Sequence, residues 1–228
     1  MSIQEVSARD VERRNLPKRK LIILGKTDVG KSSIILRATK HQFDPVIRPT
    51  LAAACCPWLE VTIGNGSQHV ILVIWDTAGQ EEYYSLGEQF YRDAKAALVV
   101  YDVSVPDSLE VAKQYIRELD KREYRDLVIA LVGNKSDLPS AVDAASAQQF
   151  ATQNGYLFAE VSAKTGHGIE DIFLDIASRL MDIDSGIEQS LLPGLEDALV
   201  DLQASPTLRD KIRRGCSSCY HRVRRSPR

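Results

Sequence analysis

The chain has 228 residues, 44% hydrophobic and 26% charged, enough for one sizeable core with tails to spare. A net charge of −2 excludes the basic balance of a nucleic-acid binder, and no run approaches the ~20 apolar residues of a membrane span. The charge is uneven, because residues 207–228 hold eight Lys or Arg against one acid, a net +7 that leaves −9 on the rest. Such a tail calls for an extended anionic partner such as a membrane surface. The four cysteines are the adjacent Cys55 and Cys56 and the pair in Cys216-Ser-Ser-Cys219, and MSIQEVSARDVERRN has no apolar segment that reads as a secretory signal. Reduced thiols in the cytosol are the expectation.

In chain order, residues 1–19 are polar and read as a mobile arm, with Pro17 just before the first strand. LIIL (21–24), closed by Gly25, has the composition of a buried parallel strand, and SSIILRATK after Lys31 reads as a helix. Residues 41–57 carry three prolines and no period, the mark of a long loop; WLEVTI and HVILVIWD then form two strands around GNGS. A loop passing into a weak helix covers 76–94, followed by a buried strand at 96–104 and a helix opened by Pro106. LVIALVGNKSD is a strand running into a loop, 142–154 a helix, YLFAEVSAK a strand and loop, and GIEDIFLDIASRLM a final amphipathic helix. The alternation predicts an α/β, P-loop type fold: a six-stranded, mostly parallel sheet with helices on both faces and one antiparallel edge strand from the 58–76 hairpin. An acidic stretch and then the basic tail fill 182–228, and LLPGLEDALVDL within it has the pattern of a short amphipathic helix.

GKTDVGKS (25–32) fits G-x-x-x-x-G-K-[ST], a loop whose N–H groups wrap phosphates, whose Lys reaches the outer two and whose hydroxyl ligates Mg²⁺. A glycine-rich turn that binds nothing is the bland alternative, but ligands of open α/β sheets lie at the carboxyl ends of strands, and other strand ends supply matching groups. Asp76-Thr77-Ala78-Gly79-Gln80 offers a carboxylate for Mg²⁺, a glycine N–H for a γ-phosphate and an amide that orients an attacking water. In Asn134-Lys135-Ser136-Asp137, one carboxylate accepting from both N1–H and the 2-amino group selects guanine and turns adenine away, which argues against a P-loop kinase or ATPase. Ser162-Ala163-Lys164 at the next strand end brings a backbone N–H, that of Ala163, to the guanine O6.

On these motifs residues 20–181 resemble a small GTPase of the Ras superfamily; WDTAGQE and PTLAAA place the similarity in the Rab branch, and YYSL nearest the early-endosomal Rabs. The resemblance implies GTP/GDP and Mg²⁺ as cofactors and slow hydrolysis of GTP to GDP and phosphate, with Gln80, Lys31 and Thr50 as catalytic groups. It implies nucleotide contacts from Gly25, Asp28, Val29, Gly30, Lys31, Ser32, Ser33, Phe43, Thr50, Gly79, Asn134, Lys135, Asp137, Ser162, Ala163 and Lys164. Ser32, Thr50 and Asp76 would hold the metal. Partners would be effector, exchange-factor and GTPase-activating proteins at a cytoplasmic endomembrane surface, the endosome favoured, and no nucleic acid.

Three departures qualify the likeness. Asp28 sets a carboxylate in the phosphate loop, where the family mostly has a small neutral residue; pointing inward it would speed release, pointing outward it is a surface charge. Cys55 stands where Rabs usually carry a phenylalanine and Ala52 where they carry glycine, so the expected effector surface is reshaped. Nine residues follow Cys219 and position 2 is Ser, so neither prenylation at a C-a-a-X box nor N-myristoylation is expected. Cys216 and Cys219 read as thioester acylation sites amid arginines, with an unmodified tail, a redox pair or half a zinc site as alternatives. The rival function is a fast-exchanging, weakly hydrolysing nucleotide-dependent scaffold.

Overall fold

The computed structural model describes residues 16–46, 57–64, 68–76, 88–122 and 126–186. Six strands, β1 (Lys18–Leu24), β2 (Trp58–Ile63), β3 (Gln68–Asp76), β4 (Ala94–Asp102), β5 (Val128–Asn134) and β6 (Leu157–Glu160), form one sheet in the order β2-β3-β1-β4-β5-β6. Every pairing is parallel except β2 with β3, the hairpin pair at one edge. The helices are α1 (Lys31–Lys40), the single turn α2 (Glu88–Tyr91), α3 (Pro106–Lys121), α4 (Ala144–Gln153) and α5 (Ile169–Asp184).

The central strands carry unbroken apolar runs, Leu21–Leu24 in β1 and Ala96–Val100 in β4, because both faces are covered there, and successive side chains point to opposite faces. Leu21, Ile23, Leu98 and Val100 join α5 residues such as Phe173 and Ile176 in one core. Ile22, Leu24, Val99 and Tyr101 join α3 residues such as Ile116 and Leu119 in the other. A one-residue slip of β1 would exchange the two sets, so both cores hold its register.

Local chemistry sets the helix ends. Pro106 occupies the first turn of α3, where its missing N–H costs nothing, and Asp107 beside it complements the helix dipole. The Asp143 carboxylate accepts from the Ala145 N–H at the start of α4. Gly30 precedes α1 and Gly168 precedes α5, both left-handed and without a side-chain cap. The first strand begins at Lys18, before the apolar run, and α5 continues to Asp184.

Registers align the polar strand ends. Asp76 pairs with Ile23, and Asp102 pairs with Asn134, so the carboxyl ends of β3, β4 and β5 meet the loop after β1 on one edge.

Candidate functional site

The loop after β1 has its shape because two positions exclude a side chain. Gly25 lies at φ +144°, where a Cβ would sit 2.3 Å from the Val100 carbonyl oxygen. Gly30 lies at φ +94°, where a Cβ would sit 2.3 Å from Asn134 Nδ2. Between them Val29 is buried in the α5-side core and anchors the loop, while Asp28 takes φ +66° with its side chain exposed. Lys26, at the loop's outer side, pairs with Asp107 at the start of α3.

Lys31 is buried, and its ammonium donates to the carbonyls of Gly25 (2.7 Å) and Lys26 (2.9 Å). Burial lowers its pKa from 10.5 to about 8, against the opposing charges of Asp76 and then Asp28. A group whose folded pKa is depressed sheds its proton first in the folded chain. Between pH 8 and 10.5, therefore, the unfolded chain holds more protons, and this lysine's contribution to stability rises with pH. A polyphosphate needs the charged form, so binding to the free protein is expected to take up a proton as pH rises above about 8. Calorimetry in two buffers of different ionisation enthalpy measures that uptake.

The Ser32 hydroxyl donates to Asp76 Oδ2 at 2.7 Å, and Asp76 is nearly buried. These are hard oxygen donors from two elements, side by side at the mouth of the loop. Among the described residues no three His, Cys, Asp or Glu side chains gather as a metal site.

The second half of the site is built on Asn134. Its amide is buried, with Nδ2 donating to the Val29 carbonyl (2.8 Å) and Oδ1 accepting from the Ala163 N–H (3.1 Å). One side chain thus joins the loop after β1 to the loop after β6. The Ala163 N–H assigned to O6 from the sequence has a protein acceptor here, which a base would have to share. Asp137 Oδ1 accepts from the buried Ser162 hydroxyl at 2.6 Å, and the Lys164 ammonium lies 3.6 Å from Oδ2. The Ser162 bond first, aided by Lys164 and opposed by desolvation, holds the Asp137 carboxyl below its ordinary range, so it is anionic at neutral pH. Ser33 is half-buried in the first turn of α1, and Phe43 is 37% exposed beyond that helix.

Two residues at the site escaped the motif reading. Asp102 is buried, and its Oδ2 lies 2.7 Å from Lys135 Nζ while Oδ1 accepts from the Ser104 N–H and hydroxyl. Burial, the largest single influence, would raise its pKa, but Lys135 and Ser104 together lower it. The cue was present, since Asp102 ends an apolar strand as Asp76 and Asn134 do. Arg37, on α1, donates to carbonyls of Ala163, Lys164 and His41, and no spacing betrays it. Thr50, Gly79, Gln80, Cys55, Cys216 and Cys219 lie outside the described residues.

The family model described as "Ras family" matches residues 20–182. The chain belongs to the Ras family of small GTPases. It is 44% identical over 163 residues to Ras-related protein Rab-5A of Dictyostelium discoideum, an alignment covering 71% of this chain and 80% of that protein. As a Ras-family, Rab-related GTPase it binds guanine nucleotide and hydrolyses GTP. Among the described residues no helix is long and apolar enough to cross a membrane.

Proposed function

We propose that this GTPase is a Rab-type switch that recruits effectors to an endosomal membrane while GTP is bound and releases them after hydrolysis. The supporting observation is the Asn134 bridge, which sets the Lys31 loop and the Asp137 carboxylate in one frame, as a ligand with phosphates at one end and guanine at the other requires. In this reading Lys31 leaves the Gly25 and Lys26 carbonyls for the β- and γ-phosphates, and the N–H groups of residues 28–33 complete the cradle. Phe43 covers the base, and Asp137 receives N1–H and the 2-amino group.

The Ser32 and Asp76 oxygens fit Mg²⁺ in kind and closeness, and with Thr50 they would hold it. Bound there, the ion would neutralise charge on the β- and γ-phosphates. Gln80 orients the water whose oxygen bonds to the γ-phosphorus as the bond to the β–γ bridging oxygen breaks, giving GDP and phosphate. Thr50 and Gly79, which meet the γ-phosphate, lose it on hydrolysis, and the two loops relax. Turnover is slow until a GTPase-activating protein completes the site, and an exchange factor reloads it. Membrane attachment rests on the basic tail and on acylation of Cys216 and Cys219, since one lipid and a polybasic patch together anchor stably.

The purified full chain, denatured after isolation with Mg²⁺, is expected to yield one equivalent of guanine nucleotide, identified by chromatography. An empty protein that also fails to bind added GDP would defeat the reading. The fast-exchange scaffold is the rival, with Asp28 in the phosphate loop and the altered switch surface as its signs. We favour a surface charge for Asp28, whose side chain is exposed, so Asp28→Asn, which tolerates the positive φ, is expected to change GDP release by less than about fivefold. A slowing well beyond that would favour the scaffold.

A further inference from the structure

We infer that Arg37 is a positioning residue for the guanine pocket, a guanidinium staple that fixes the base loop and the root of the Phe43 loop in one geometry. The inference rests on the guanine-nucleotide reading. Arg37 lies on α1, and its Nε donates to the Ala163 carbonyl (2.8 Å) and its Nη2 to the Lys164 carbonyl (2.6 Å), 126 and 127 residues away in sequence. Its Nη1 donates to the His41 carbonyl at 2.9 Å. His41 is the left-handed residue that ends α1, and its own N–H returns to the Arg37 carbonyl at 2.9 Å. Arg37 therefore grips the exit of α1 from two sides, two residues before Phe43.

The base loop is held from opposite directions. Asn134 takes the Ala163 N–H and the Ser162 hydroxyl takes the Thr165 N–H, while Arg37 takes the carbonyls. Bonds from a charged donor are the stronger kind, and three acceptors on two segments need the rigid, planar fork of an arginine. An ammonium at this position is a single point and cannot span them. Without the fork, the peptides beside the base O6 lose their outer hold. Asp137 keeps its bond from Ser162, whose backbone N–H is separately tied to the His167 carbonyl.

Loss of Arg37 should therefore blur recognition at position 6 of the base and spare recognition at position 2. Release rates of GDP, 6-thio-GDP and IDP from the full chain with Mg²⁺ test this. The thio analogue puts a larger and weaker acceptor at position 6 and leaves the 2-amino group in place, and IDP lacks only the 2-amino group. Arg37→Met is expected to quicken GDP release about tenfold and to shrink the parent's preference for GDP over 6-thio-GDP to within about twofold, with the GDP-to-IDP preference held. Arg37→Lys, which keeps the charge and guards against a folding defect, is expected to behave like the methionine variant. Parental GDP-to-6-thio-GDP preference in both variants overturns the inference, as does equal loss at both base positions, the sign of a merely structural residue. A parent chain that holds GDP no better than ADP instead overturns the guanine reading and takes the inference with it.

Discussion

Asn134→Ala is expected to quicken GDP release on the order of a hundredfold and to destabilise the free protein as well. The alanine removes two hydrogen bonds at once and strands two partners, the Val29 carbonyl and the Ala163 N–H, inside a site where Asn134 is 2% exposed. A buried polar group left without its partner costs about 1–3 kcal/mol, so two cost the fold roughly 3 kcal/mol even if the loops partly relax, and the hundredfold in release corresponds to a further loss of about that size in the bound state, where the two loops must hold one ligand. Asn134→Asp is the sharper companion. Its carboxylate still accepts from Ala163 but sets charge against the Val29 carbonyl, so it should fall below alanine. Gly30→Ala approaches the same contact from the other side, since its Cβ needs the space that Asn134 Nδ2 fills. Stopped-flow release and thermal unfolding measure the two effects, and parental release from Asn134→Ala would show the bridge to be incidental.

Asp137→Asn is expected to reverse the choice of base. In the proposed pocket the carboxylate would offer acceptors to both N1–H and the 2-amino group, whereas an amide offers one acceptor and one donor. The donor then faces the 2-amino group of guanine, and GDP affinity is expected to fall by at least about 10²-fold, since sites built on buried hydrogen bonds discriminate strongly. Xanthine, with an oxygen at position 2, suits the amide, so XDP should outcompete GDP in the variant. The depressed pKa of Asp137 gives the sign of the pH effect. The carboxylate's contribution is present above the unfolded value near 3.9 and is lost as pH falls through the folded one, so the parent's preference for GDP over IDP, whose bases both stay neutral in this range, is expected to be flat between pH 5 and 8. Competition of XDP with GDP in the variant checks the first statement, and competition of IDP with GDP in the parent across that range checks the second.

These effects concentrate on residues whose place was partly legible in the sequence. LIIL and AALVVYD announce buried parallel strands because no polar residue interrupts them, and Asp76 and Asn134 stand out because they end such runs. Where β1 begins was less legible, since Lys18, Arg19 and Lys20 precede the apolar run and enter the sheet by pairing with Ile71, Leu72 and Val73 of β3. Lys18 and Lys20 also lie over the rings of Trp58 and Trp75. Arg37 was invisible for a different reason. Its acceptors are backbone carbonyls, which every residue possesses, so no side-chain pattern marks the partner loop. Lys31 was assigned to phosphates, and the structure adds where its ammonium rests and why burial weakens its hold on a proton.

The single amide joining the two loops also bears on residence time. A nucleotide held at both ends behaves as a two-headed ligand, and when one head lets go the other keeps it nearby at high effective concentration. That advantage holds only while the two half-sites stay at the spacing the ligand spans. Asn134 helps keep that spacing, so a partner that opens this joint would let the two ends of the nucleotide leave one at a time.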